Sequence, residues 1–172
     1  MDLNNPVLET ERLYVCRMDE ADQEWFYRLN SDPEVMRYTG EDCMTSLEQS
    51  LQVLRERPMR DYQKYGYGRW ACVMKGSNDV IGWCGLKYLD DLEEVDVGYR
   101  FFKEFWGQGL GTEASRACVQ YGLNELGLEK IIGLALEENI ASTRVLEKSG
   151  LSYDGRMDYE GFDVVRYVIQ SQ

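Results

Sequence analysis

The sequence has 172 residues, a length typical of a single domain that can bury a core of its own. Nineteen lysines and arginines against 31 aspartates and glutamates give a net charge of −12, which argues against nucleic acid or an anionic membrane as partner. Histidine is absent, and this excludes serine–histidine and cysteine–histidine nucleophile pairs and most catalytic metal sites.

The first half of the chain is predicted to contain one strand followed by three helices. An apolar run predicts a strand over 13–16, and an aspartate at an N-cap position opens a helix over 19–30. Pro33 fits the first turn of a second, short helix. Leucines at helical spacing predict one longer helix over 45–62.

The second half is predicted to be richer in strands. A hairpin with a turn at 76–79 is followed by a strand in which apolar and polar residues alternate. The predicted order is strands over 69–74, 80–86 and 95–101, a helix over 109–126, a strand over 131–136, a helix over 139–148 and strands over 151–156 and 162–169. Together with the first half, this order predicts an α/β fold with a mixed sheet.

The cysteines and the termini add two expectations. Five cysteines without a Cys-x-x-Cys pair predict neither a disulfide framework nor a zinc site. No apolar run reaches the roughly 18 residues of a membrane-spanning helix, and the start lacks the features of a signal peptide. A cytoplasmic location is therefore predicted.

Three alternating glycines, Gly107, Gly109 and Gly111, lie between a predicted strand and a predicted helix. Helix N-termini present unpaired N–H groups and partial positive charge, and glycine lets a ligand approach the backbone, so the loop predicts phosphate binding. A tight turn without a ligand is the alternative. The P-loop triplet is absent and the spacing differs from the Rossmann fingerprint, although Glu137 keeps a dinucleotide site as a less favoured alternative.

The joint order of the motifs resembles the GNAT N-acetyltransferase superfamily, and within it the branch of the ribosomal-protein-alanine (Rim-type) N-acetyltransferases. Shorter matches at 8–13, 32–36 and 155–163 extend the resemblance over nearly the whole chain. The motifs that carry it are Trp106-Gly107-Gln108-Gly109-Leu110-Gly111-Thr112-Glu113-Ala114, Asn139-Ile140-Ala141-Ser142 and Val145-Leu146-Glu147-Lys148-Ser149-Gly150-Leu151. It implies a single α/β acetyltransferase domain over residues 1–172, whose mixed, mostly antiparallel sheet splays between its strands 4 and 5 and is flanked by helices.

The resemblance also implies acetyl-CoA as the co-substrate, with no metal. In the family, strand backbone bonds the pantetheine arm, loop amides hold the diphosphate, and residues of the following helix approach the pantetheine and the thioester sulfur. A backbone N–H near Phe101 or Phe102 would stabilise the oxyanion. The implied cofactor-binding residues here are Tyr99, Phe101, Phe102, Trp106, Gly107, Gln108, Gly109, Leu110, Gly111, Thr112, Asn139 and Ser142.

Two candidate catalytic residues follow from the same resemblance. Many members carry a tyrosine acid on the second helix, but the matching residue here is Leu146, so Ser142 becomes the candidate acid, with a surface serine as the alternative. Asp96 is the candidate base, at a place where Rim-type relatives carry glutamate, with a solvated strand residue as the alternative. Glu113, at the start of the glycine-loop helix, is expected to be structural.

The implied acceptor is a primary amine, either a protein N-terminus or a small cationic amine, that attacks acetyl-CoA directly in a ternary complex. An α-amine, with a pKa of about 7.7–8.0, is more easily neutral than lysine at about 10.4. The acids that are candidates to hold a cationic acceptor are Asp32, Glu34, Glu41 and Asp42. A non-catalytic CoA-binding module and a nucleotide-binding protein remain alternatives, and a homodimer is expected by default.

Overall fold

The computed structural model describes residues 1–171, which contain one eight-stranded sheet in the order β1-β2-β3-β4-β5-β6-β8-β7. All neighbouring strands are antiparallel except β5 and β6, which run parallel, so the predicted mixed, mostly antiparallel sheet is confirmed. The strands are β1 (Leu8–Glu9), β2 (Leu13–Cys16), β3 (Arg69–Met74), β4 (Val80–Leu89), β5 (Glu94–Phe101), β6 (Lys130–Leu136), β7 (Ser152–Tyr159) and β8 (Phe162–Gln170).

The helices agree with the prediction except between residues 45 and 65. They are α1 (Gln23–Asn30), α2 (Pro33–Met36), α3 (Leu47–Leu54), α4 (Arg60–Tyr65), α5 (Leu110–Asn124) and α6 (Ile140–Lys148). The helix predicted over 45–62 is present as a continuous helical segment over 47–65, but its middle, Arg55–Met59, is π-helical and separates α3 from α4. Pro58 lies in this segment and has no N–H to donate, so the regular α-helical ladder cannot continue through it.

Both faces of the sheet are covered. On one face, Val97 and Phe101 of β5 pack with Leu110 of α5 in the largest cluster of buried apolar residues. On the other face, a smaller cluster joins Phe26 of α1 and Leu54 of α3. Because side chains alternate along a strand, β5 directs its apolar residues toward α5 and its polar residues toward α1 and α3. Among residues 1–171, no helix combines the length and the apolar character that crossing a bilayer requires.

The sheet parts between β5 and β6. Their parallel ladder contains a single registered pair, Asp96 opposite Ile132, and the strands diverge beyond it. The N–H of Leu134, two residues further along β6, lies near the Asp96 carboxyl group and lowers its pKa. The splay predicted between strands 4 and 5 of the fold is therefore present here between β5 and β6, because Leu8–Glu9 adds a strand at the start.

Candidate active site

The glycine loop presents a row of free backbone donors. Gly107 and Gly109 have φ of 72° and 78°, a left-handed conformation that favours glycine, and α5 begins directly after them. Within residues 1–171, no N–H from Gly107 through Thr112 donates to a protein acceptor. These six donors lie at the positive end of a 15-residue helix, so the loop fits an anionic group such as a diphosphate.

The loop is held in shape by side chains. The Trp106 indole N–H donates to the carbonyl of Phe101 (2.8 Å), and the Gln108 amide donates to the carbonyl of Glu104 (2.8 Å). Arg12, from the start of β2, donates to the carbonyl of Gln108 (3.0 Å). The backbone N–H of Trp106 is engaged with the Lys103 carbonyl (3.1 Å), so the free row begins only at the following glycine. The sequence match at 8–13 includes Arg12 but gave it no role at this loop, because it lies almost a hundred residues away along the chain.

Glu113 fixes the same helix start to the edge of the sheet. Its carboxylate accepts hydrogen bonds from the Thr10 hydroxyl (2.6 Å), the Arg12 backbone N–H (2.8 Å) and the Arg12 guanidinium (2.6 Å). Burial raises the pKa of Glu113, but the bonds from Thr10 and Arg12 outweigh burial and hold this pKa below its usual value. The residue has the structural role expected of it.

Four of the predicted residues meet where α5 and α6 approach β5. The Tyr99 ring lies so close to Gly111 that a Cβ on this glycine would be 3.0 Å from the ring. The Ser142 side chain lies near the Tyr99 hydroxyl, and Asn139 caps α6 by accepting from the Ser142 N–H (3.2 Å). Burial raises the pKa of Tyr99, and the nearby Ser142 side chain opposes this rise. The site therefore holds a tyrosine hydroxyl beside Ser142, on β5 rather than on α6.

Leu146 occupies the position on α6 that the resemblance matches to a tyrosine acid. Its side chain is buried and packs onto Gly133 of β6, which has no Cβ to obstruct it. A polar side chain at this point would face the core, which explains an apolar residue here.

The edge of β5 that faces the gap can be assigned from its hydrogen bonds. The N–H of Phe102 donates to the carbonyl of Ile81 (2.9 Å), beside β4. Because N–H groups alternate between the two edges of a strand, the N–H groups of Tyr99 and Phe101 point toward β6. Phe102 is thus committed to the sheet and does not offer its N–H, so of the two predicted oxyanion donors only Phe101 has its N–H at the gap.

Asp96 lies at the gap between β5 and β6, on the face of the sheet opposite Tyr99. It is 8% exposed, so the alternative of a solvated strand residue is wrong. Arg69 crosses the face of the sheet to reach the Asp96 carboxylate, and it also donates to the carbonyl of Gly85. A Cβ on Gly98 would be 2.8 Å from the Arg69 guanidinium, so a side chain at this position would press against the guanidinium. Burial raises the pKa of Asp96, while Arg69 and the Leu134 N–H oppose the rise.

A cavity of about 270 Å³ opens above Asp96, and we call it the acceptor cleft. The ring of Trp83 lies within it, with the guanidinium groups of Arg69 and Arg100 at 5.2 Å and 5.1 Å from the ring centroid. The apolar and aromatic residues that line the cleft include Met18, Phe26, Tyr38, Met44, Leu89 and Phe162.

Three of the four acids predicted to hold a cationic acceptor are engaged within the protein. Glu41 binds both Arg57 and Arg100. Glu34 pairs with Lys103 outside the cleft. Asp32 caps α2 by accepting from the Glu34 N–H (2.9 Å). The cap at Asp32 is local, but the sequence could not reveal the ion pairs of Glu34 and Glu41, because their partners come from other elements.

The chain matches a known family along most of its length. The family model described as Acetyltransferase (GNAT) domain matches residues 12–152. An uncharacterized N-acetyltransferase of Bacillus subtilis, YoaA, is 31% identical over 151 residues, which are 87% of this chain and 85% of the relative.

Two solved structures with bound CoA share the fold. A spermidine N-acetyltransferase from Vibrio cholerae, in complex with CoA and spermine, has a TM-score of 0.75 at 19% identity and covers 92% of this chain and 95% of its own. RimL, a ribosomal L7/L12 alpha-N-protein acetyltransferase in complex with CoA, has a TM-score of 0.78 at 19% identity and covers 96% of this chain and 97% of its own.

Proposed function

The chain belongs to the GNAT acetyltransferase family and is an acetyl-CoA-dependent acetyltransferase, and we propose that it acetylates a primary amine by direct attack in a ternary complex. One observation carries this proposal. The gap between β5 and β6 has free amide donors and Ser142 on one face and the buried Asp96 on the other. Two substrates can therefore approach the same gap from opposite faces, which favours in-line transfer.

The cofactor face binds acetyl-CoA mainly through its backbone. The N–H groups of Gly107–Thr112 would bind the diphosphate, as their free donors and the helix dipole support. The backbone of Tyr99 and Phe101 would bond the pantetheine arm along the open edge of β5. Asn139 and Ser142 would lie beside the arm and the sulfur, because α6 begins next to the gap.

Asp96 would act as the general base. The amine nitrogen attacks the thioester carbonyl, the carbon–sulfur bond breaks, and the proton of the amine passes to Asp96 directly or through water. Arg69 would be its positioning residue, since it fixes one carboxylate oxygen and opposes the rise in pKa that burial causes. The N–H of Phe101 would stabilise the oxyanion of the tetrahedral intermediate.

Ser142 would give a proton to the departing thiolate, with the Tyr99 hydroxyl next to it as the neighbouring donor. A thiolate is a good leaving group, so this acid contributes less than the base does.

The acceptor is either a protein N-terminus or a small amine. These are the kinds of substrate that the names of the two CoA-bound structures describe.

Thiol release from acetyl-CoA, measured with and without amines, tests the proposal. We expect release that depends on the amine, together with a mass gain of one acetyl group on the acceptor.

A non-catalytic CoA-binding module is the second candidate, because the buried Leu146 leaves α6 without an acid at that position. Tight CoA binding without release for any amine would establish the module and contradict the transferase.

A further inference from the structure

The acceptor cleft has an even balance of charge. Eight charged side chains line it, four of each sign: Arg57, Arg69, Lys87, Arg100, Glu41, Asp61, Asp96 and Glu160. A surface that receives a polycation needs several carboxylates without partners, because a carboxylate already bonded to arginine gains little from a second cation. The pairing of these charges therefore decides which amines the cleft can hold.

Most of the carboxylates have a partner. Asp96 is paired with Arg69, and Asp61 is 3.2 Å from the guanidinium of Arg60. Glu41 is held between two arginines, as described above. Within residues 1–171, Lys87 and Glu160 are the only lining charges that form no ion pair. These two opposite charges offset each other, so the lining offers no surplus of unpaired carboxylates to a polycation.

The size of the cleft also restricts which acceptors it can hold. Its volume of about 270 Å³ is below the roughly 300–1,000 Å³ of sites for drug-sized ligands. Phe162, at the start of β8, reaches across to the loop after α2, where a Cβ on Gly40 would be 2.9 Å from its ring. Both residues line the cleft, so this contact joins two of its walls.

The walls of the acceptor cleft are suited to the apolar part of an acceptor molecule. Met18, Phe26 and Met44 supply aliphatic and aromatic surface, and Trp83 offers a ring for stacking. Resting on the proposed transferase function, we propose that the acceptor is a compact monoamine with an aromatic or branched apolar body. Polyamines and polypeptide N-termini are then poor acceptors.

The test compares phenethylamine, spermidine and a hexapeptide with an N-terminal alanine, by thiol release and by calorimetric binding to CoA-saturated protein. We expect phenethylamine to exceed both others by about tenfold in kcat/KM and in affinity. Faster turnover of spermidine or of the peptide would overturn the proposal. If no amine is acetylated, the transferase proposal fails, and calorimetry still decides the acceptor class: preferential binding of phenethylamine supports it and equal or weaker binding overturns it.

A single substitution makes the test sharper. Arg57 is about half exposed and binds one oxygen of Glu41, so Arg57→Gln removes one cation from the lining and frees that oxygen, while Arg100 keeps the other. We expect spermidine to gain about threefold in affinity, while phenethylamine is unchanged within about twofold. Arg55→Gln is the matched control, because Arg55 is equally exposed and pairs with Glu20 outside the cleft. An unchanged ratio of spermidine to phenethylamine affinity in Arg57→Gln would contradict the role given to charge pairing.

Discussion

The two faces of the β5–β6 gap are built by different means. On the cofactor face, consecutive backbone N–H groups of one loop form the site, and their geometry depends on Gly107 and Gly109. On the acceptor face, side chains from α1, β3, β4, β5 and the loop after α2 form it through long-range ion pairs. A site made of backbone tolerates changes of most side chains, whereas a site made of paired side chains changes its specificity with single substitutions.

The largest expected effect comes from the loop. Gly109→Val forces a β-branched residue into φ 78° and places a side chain where the diphosphate would lie, so we expect acetyl-CoA affinity to fall by more than about a hundredfold. Calorimetry measures the affinity, and circular dichroism checks the fold. The matched control is Gly127→Val beyond the other end of α5, at φ 67° with open space around it, which should keep binding. Normal binding by Gly109→Val would refute the diphosphate placement.

The next effect concerns the acceptor face alone. Asp96→Asn removes the base, so we expect kcat to fall by about a hundredfold or more while acetyl-CoA affinity is unchanged. Steady-state kinetics and calorimetry separate the two. Glu94→Gln is the control, because Glu94 lies on the same strand and face and is also paired with basic residues, but away from the cleft. Equal losses in both variants would indicate a structural role for Asp96.

A smaller effect tests the positioning by Arg69. Gly98→Ala pushes the guanidinium away from Asp96, and losing a nearby cation raises the pKa of a carboxyl group. Since the base works only when deprotonated, the acid limb of the kcat/KM profile should move to higher pH, with a loss of about tenfold at neutral pH. In an Asp96→Asn background, Gly98→Ala should leave the pH dependence of kcat/KM unchanged. If Gly98→Ala alone does not shift the acid limb of this profile, the positioning role of Arg69 is contradicted.

The smallest effect is on stability at the cofactor face. Glu113→Gln weakens charge-assisted bonds to Arg12, so we expect the free energy of unfolding to fall by about 1–3 kcal/mol in urea titrations at neutral pH. The pKa of Glu113 is lowered in the folded protein, so its contribution is present above the usual value of 4.5 and is lost as the pH falls through the lowered pKa. The two proteins should therefore converge in acid. A constant difference would show that the charge is not responsible.

Local patterns predicted the elements well where a few neighbouring residues decide the structure. The cap at Asp19, the proline start of α2 and the alternation along β5 all appear as expected. The prediction of one helix over 45–62 did not include the π-helical segment around Pro58, a residue that cannot donate to the α-helical ladder. The sequence also did not indicate the role of Gly98, because the Arg69 guanidinium that packs against this glycine comes from another strand.

The sequence by itself determined the glycine loop, the helix that follows it and the absence of a tyrosine acid on α6, because each depends on residues adjacent in the chain. Only the tertiary structure decided that Asp96 is buried against Arg69, that Arg12 holds the loop and that Glu41 is neutralised by two arginines. The physical reason is that ion pairs and desolvation depend on distances between segments far apart in sequence, which no local spacing encodes.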